Sequence, residues 1–155
     1  SRVVSKRDGS SGPEDGHPRT VMGYEDRPQA LAATCRFVWE RTATPIIVTE
    51  NGWAGDDDRR RAAFVPEALS ELHDAIAEGV DVRGYFYWSL LDNYEWAAGY
   101  GPKFGLIGVD RATQQRRIKP SAVLLGDIAR ANALGADNRS TEAPQVMGDG
   151  APVGL

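Results

Sequence analysis

The 155-residue sequence predicts an α/β fold in which parallel strands alternate with helices. Three observations carry that expectation. Apolar residues recur at helical spacing in three separate segments, two runs rich in β-branched and aromatic residues lie between them, and the order is helix, strand, helix, strand, helix. Strands joined through a helix run parallel with a right-handed crossover, which puts the helices outside the sheet.

The first helix is expected over Pro28–Thr42, where Leu31, Cys35, Val38 and Trp39 form one stripe and Pro28 suits a first helical turn. Phe37 and Trp39 are assigned to the core. Pro45–Thr49 is a short run of β-formers, apolar on both faces as a covered parallel strand would be, and Asn51-Gly52 ends it. A second helical region runs from a cap within Asp56–Asp58 to Gly79, with Val65, Leu69, Leu72 and Ile76 in one stripe. Within it Pro66 either makes a kink or begins a second part. VDVRGYFYWSLL, residues 80–91, reads as the second strand, and a long irregular segment then leads to the strand-like LIGVD. Pro120–Leu134 gives the third helix, with Val123, Leu124, Leu125 and Ile128 turned inward. Residues 1–20 read as a polar loop or ragged start, 21–135 as the structured unit and 136–155 as a flexible tail.

Two strands do not close a sheet. A (β/α)8 barrel takes about 250 residues, so if these elements belong to one, they amount to roughly a quarter of it.

With 41% hydrophobic and 26% charged residues the composition is that of a soluble globular domain. No apolar run approaches the roughly 20 residues that span a bilayer, so no membrane partner is expected, and the polar N-terminal segment points to a cytoplasmic rather than secreted chain. The net charge of -4 leaves only Arg59–Arg61 and the QQRRIK segment as basic stretches. Both are assigned to solvated faces, and no nucleic acid is expected. The single cysteine, Cys35, excludes an internal disulfide and reads as a buried, inert thiol. His17 and His73 lack neighbours at ligand spacing, so neither a metal nor a cofactor is expected.

In parallel α/β folds, ligands bind at the C-terminal ends of the strands. Glu50 stands at the first such end, and DNYEWAAGYGPKFG follows the second. Eight of the thirteen aromatic residues lie between Tyr85 and Phe104. Ring faces stack on the C–H faces of sugars while carboxylates and amides take the hydroxyls, so this grouping suits a carbohydrate. A nucleotide would ask for a glycine-rich phosphate loop or basic residues.

Two stretches, PIIVTENG and GYFYWSLLDNYEWAAGYGPKFGLIGVD, with KPSA behind them and MGYE ahead, resemble the retaining β-glycosidases of glycoside hydrolase family 1. The likeness runs from about Met22 to Leu134. It implies the C-terminal part of a (β/α)8 barrel, carrying strands seven and eight, and cofactor-free hydrolysis of β-glucosides or related β-glycosides with retention. Glu50 matches the catalytic nucleophile. Trp88, Glu95 and Trp96 match residues that hold the sugar in the glycone site: the tryptophans by stacking and an indole N–H, Glu95 by accepting from the far hydroxyls. Phe104 matches an aromatic that closes the pocket, while Asp92 and Asn93 are read as loop scaffolding. A carboxylate at Glu95 would repel a sugar phosphate, which favours unphosphorylated substrates.

The sequence departs from the family's pattern in several respects: the upstream glycone glutamine, histidine and asparagine and the arginine and tyrosine that hold the nucleophile are absent, and so is one catalytic carboxyl. Retention needs two carboxyl groups about 5–5.5 Å apart, and the family's acid/base glutamate comes from an Asn-Glu-Pro triplet that does not occur here. Glu40, Glu67 and Glu71 lie on predicted outer helices and cannot replace it. Tyr94 where phenylalanine is usual leaves the match intact. The chain alone is therefore expected to be weakly active or inactive. Two alternatives stand beside catalysis: a non-catalytic sugar-binding module built on Trp88, Glu95 and Trp96, and a structural portion that needs a complementary barrel portion or self-association.

Overall fold

The computed structural model describes residues 3–5, 11–13 and 16–135. The expected tail over 136–155 lies outside them. In chain order the elements are β1 (Val3–Ser5), β2 (Ser11–Pro13), α1 (Ala30–Thr42), β3 (Ile46–Val48), α2 (Asp58–Ala77), β4 (Val82–Tyr85), β5 (Ile107–Val109), β6 (Arg116–Ile118) and α3 (Pro120–Ala131). The strands form three separate pairs: β1 with β2 antiparallel, β3 with β4 parallel, and β5 with β6 antiparallel. The β1–β2 pair falls in the segment expected to be loop, because three-residue strands are too short to show a period in the sequence.

The helices follow from their sequences. At the start of α1 the Leu31 N–H reaches the Pro28 carbonyl at 3.4 Å, and at its end Ala43 turns left-handed at a φ of 48°. Asp57 caps α2, its Oδ1 accepting from the amides of Arg59 and Arg60 at 3.0 and 3.4 Å. Pro66 sits inside one continuous helix, and Gly79, at a φ of 102°, supplies the left-handed stop. Pro120 opens α3 at a position where no N–H is missed.

Helices α1 and α2 cover one face of the β3–β4 pair. Ala32, Cys35, Val48, Leu72, Ala75 and Val80 form the core there, with Trp39 and Tyr85 packed against it. Burial pushes the Cys35 thiol above its usual pKa, consistent with an inert side chain. A second cluster, Trp53, Phe64 and Ala68, joins the segment after β3 to α2. The opposite face of the pair is bare: Ile47 is 58% and Phe86 62% exposed. Covering on both faces was expected, and the described residues cover only one.

Four expectations are corrected. Ile76, expected in the inward stripe of α2, and Val123, expected to turn inward from α3, are exposed. Phe37, assigned to the core, is 55% exposed, with the Arg41 guanidinium 3.4 Å over its ring. It lies two residues from Cys35, roughly 200° around the helix, on the side away from the sheet. The second strand ends at Tyr85 rather than Leu91. Its partner β3 is three residues long, and the Phe86 N–H to Val48 carbonyl bond at 2.8 Å is the last the pair can make before the Asn51-Gly52 turn. Of Arg59–Arg61, assigned to a solvated face, only Arg59 is exposed. Arg60 is part-buried against Asp26 and Glu67, and Arg61 is fully buried. The QQRRIK segment does carry exposed arginines, yet it also contains β6, which pairs with LIGVD through a turn where Asp110 Oδ1 accepts from the amides of Ala112 and Thr113. Among the described residues no helix is long and apolar enough to cross a membrane.

The packing predicts a contrast that sequence hydrophobicity does not. Leu72→Ala should cost about 2–5 kcal/mol, as a cavity under the helix layer, whereas Phe37→Ala should stay within about 0.5 kcal/mol. Parallel urea unfolding curves read by circular dichroism give both values.

Candidate active site

The two parallel strands deliver two turns to the same end of the sheet. Past β3 come Thr49, Glu50 and Asn51-Gly52; past β4 come Phe86, Tyr87 and Trp88. Backbone joins them: the Trp88 N–H donates to the Asn51 carbonyl at 2.9 Å. Gly52 packs so closely that a Cβ there would lie 1.8 Å from the Trp88 carbonyl oxygen. Side chains add to the joint, with Tyr85 Oη donating to Asn51 Oδ1 at 3.0 Å and the Trp53 amide donating to Tyr87 Oη at 3.3 Å.

Glu50, at the lip of the first turn, is exposed, and its side chain makes no hydrogen bond or ion pair with the described residues. Glu95 differs. It is 8% exposed, its Oε1 accepts from the Trp88 indole N–H at 3.3 Å, and its Oε2 makes no bond within the described residues. The Trp88 indole is thus engaged with the carboxylate, which leaves the ring face rather than the N–H for a ligand. Trp96 follows in a short 3-10 turn, Trp96–Ala98, at a φ of 50° that residues other than glycine seldom adopt. Its indole is 79% exposed. The Trp88–Ser89 peptide is cis.

Phe104 returns to the site through the Ser89 N–H, which donates to its carbonyl at 3.4 Å. Its ring is only 8% exposed, so at most an edge is offered to a ligand. Asp92 anchors this return, with Oδ1 accepting from the Gly105 amide at 2.9 Å and from Lys119 Nζ at 3.0 Å. Asn93 Oδ1 is buried without a hydrogen-bond partner among the described residues. On the far side, Asp26 of the MGYE neighbourhood accepts from the Trp53 indole at 2.9 Å and from the Arg60 guanidinium at 2.7 Å, tying that loop to the segment after Glu50.

Glu50, Trp88, Glu95 and Phe104 are therefore gathered around residues 51, 88 and 89, with Trp96 standing out beside them. Sequence reasoning missed the part that Gly52, Tyr87 and Arg61 play in holding the turns together. An Asp-x-x-Arg spacing over 58–61 and the glycine after Asn51 were the available signals.

Aromatic faces and acceptor oxygens are collected at the two parallel strand exits. The chain belongs to glycosyl hydrolase family 1, whose model matches residues 3–134. It is 40% identical over 117 residues to a β-galactosidase of Sulfolobus acidocaldarius, covering 76% of this chain and 24% of that one. To β-glucosidase A of Thermotoga maritima it is 38% identical, covering 76% and 28%. The β-glycosidase from Pyrococcus horikoshii superposes with a TM-score of 0.79 at 40% identity, over 83% of this chain and 30% of that one. The chain spans about a quarter to a third of the length of these relatives. Its fold is part of a (β/α)8 barrel, with no closed barrel among the described residues.

Two measurements probe the joint. Gly52→Ala forces a Cβ into the Trp88 carbonyl and should lower stability by about 1–3 kcal/mol. Gly101→Ala, whose Cβ meets nothing closer than 3.5 Å, should be nearly neutral in the same urea assay. The second concerns alkaline pH. Burial pushes the Tyr85 phenol well above its ordinary pKa and the Tyr87 phenol above it as well. The folded state then keeps protons that the unfolded chain gives up near pH 10, so this contribution is complete below about pH 10 and is lost as pH rises through the raised folded values. Unfolding free energy followed from pH 9 to 11 should fall above pH 10, and more gently in Tyr85→Phe.

Proposed function

We propose that the chain carries the nucleophile and glycone half of a retaining β-glycosidase acting on unphosphorylated β-glucosides or closely related β-glycosides. Glu50 attacks the anomeric carbon and forms a glycosyl-enzyme ester as the aglycone leaves with a proton, and water then releases the sugar with retained configuration. Trp88 and Trp96 offer ring faces to the sugar, and Glu95 accepts from its distal hydroxyls through Oε2. The observation that carries this reading is the Asn51–Trp88 backbone joint, which sets the turn bearing Glu50 against the segment bearing Trp88 and Glu95. The family supports the reaction class, and the local geometry supports the roles.

No Asn-Glu-Pro triplet is present, so the proton donor for the leaving group comes from barrel residues outside this sequence. The bare face with Ile47 and Phe86, and the open edges of the β3–β4 pair, fit docking of a complementary barrel portion or of another copy. General acid help is typically worth about 10²–10⁴-fold, and the isolated chain should turn over aryl β-glucosides poorly or not at all.

The decisive experiment is incubation of the purified chain with a 2-deoxy-2-fluoro-β-glucoside carrying an activated leaving group, followed by intact mass and peptide mapping. Such a reagent needs a nucleophile and a glycone pocket but little acid help. A single adduct on Glu50, absent in Glu50→Gln, is the expected result. No adduct under conditions that label a full-length family member would remove the nucleophile role from this chain. A saturable tryptophan fluorescence change with gluconolactone but no adduct would favour the sugar-binding reading, for which the 79% exposed Trp96 is the specific support.

A further inference from the structure

Two stretches not used by the proposed chemistry, Arg59–Arg61 and the KPSA segment, meet at one place in the fold. Arg61 is fully buried. Its Nη1 donates to Asp58 Oδ1 at 2.5 Å, and its Nη2 donates to the Gly55 carbonyl and, at 2.8 Å, to the Lys103 carbonyl. Asp58 also accepts from the amide and hydroxyl of Ser121 at 3.0 and 2.7 Å, which locks the start of α3 onto the same pair. Two residues earlier, Lys119 donates its Nζ to the Gly105 carbonyl at 2.7 Å and to Asp92 Oδ1 at 3.0 Å.

A cation therefore grips the carbonyl on each side of Phe104. The two remaining carbonyls are taken as well, Phe104's by the Ser89 amide at 3.4 Å and Leu106's by the Lys119 amide at 3.0 Å. The Gly55 amide adds a second bond to the Lys103 carbonyl at 3.0 Å. Gly105 leaves no slack, since a Cβ there would lie 2.1 Å from the Asp92 nitrogen. Four consecutive peptide units are immobilised by this set.

Stability alone is a poor reason for such a device. Taking a guanidinium wholly and an ammonium partly out of water is costly, and apolar packing would hold a loop as well. The expense is felt at Lys119, where burial pushes the ammonium below its usual pKa against the opposing bond to Asp92, with the Arg61 charge adding to the push. What charge-assisted bonds supply better than packing is placement, and a sugar site needs placement to within a fraction of an ångström. The Gly55 bond shows where the placement is directed. It couples the Phe104 segment to the stretch that leads back through Trp53 to Glu50.

We propose that Arg61 and Lys119 are positioning residues of the glycone site, acting as a two-cation clamp that fixes Phe104 and ties it to the turn after Glu50. The clamp rests on the glycosidase reading for its purpose but not for its existence, and the test separates the two. Amide hydrogen exchange on the full chain is followed at Gly55, Ser89 and Gly105, with the α1 amides as internal reference, in Arg61→Met, Arg61→Lys and Lys119→Met. Loss of a charge-assisted bond should speed exchange by about tenfold or more, at Gly55 and Ser89 for Arg61→Met and at Gly105 for Lys119→Met. The α1 amides should be unchanged, and Arg61→Lys should recover part of the protection. In the same variants the half-saturating concentration of the fluoro-glucoside for Glu50 labelling should rise several-fold while the maximal labelling rate holds. Unchanged exchange at the three reporters, or equal acceleration throughout α1, overturns the clamp. Altered exchange with unaltered labelling overturns its role in the glycone site. If the parent chain takes no label, the glycosidase reading has failed and takes the glycone role with it, while the exchange data still decide whether the clamp exists.

Discussion

The candidate site depends on one close approach, that of Gly52 to the carbonyl of Trp88. Any side chain at 52 would hold the turns apart. Without one, the Asn51 carbonyl can accept the Trp88 N–H, and the carboxylate of the first strand exit comes to lie beside the ring and carboxylate of the second. This contact is backbone to backbone, so it fixes position without committing any functional group. Tyr85 and Tyr87 then brace it from below through their hydroxyls. Glu50 is left without a partner among the described residues, and Glu95 with one oxygen free.

Long periodic elements were the legible part of the sequence. In α2 the aspartate cap and the terminal glycine agree and the helix runs where they place it, although Ile76 of the expected stripe is exposed. Phe37 shows the limit of that method, because its hydrophobicity says nothing of the side of α1 on which it falls. Arg61 shows the converse. A charge on a helix reads as solvent-facing unless the acceptors that receive it can be seen, and two of them, the Gly55 and Lys103 carbonyls, belong to loops that only the folded chain brings near. Strand ends failed for a related reason: how far β4 extends is set by the length of β3, not by its own apolar residues.

The site divides in the same way. Residue types at the two strand exits were enough to suggest a sugar, and the motifs were enough to name candidates. Their postures were not readable. That the Trp88 indole serves Glu95, that Phe104 is nearly closed in by its own chain and that Trp96 stands exposed all follow from the return of the loop after Asp92, which is governed by hydrogen bonds between residues more than ten positions apart.

The half-clothed β3–β4 pair gives neighbouring residues different constraints. Val48 faces the helices and is judged by packing within this chain, whereas Ile47, one residue earlier, faces the bare side where the rest of a barrel wall would stand. Tolerance to substitution along β3 should therefore alternate with the parity of the position. One set of residues answers to packing against α1 and α2, and the other to the closure of a larger wall.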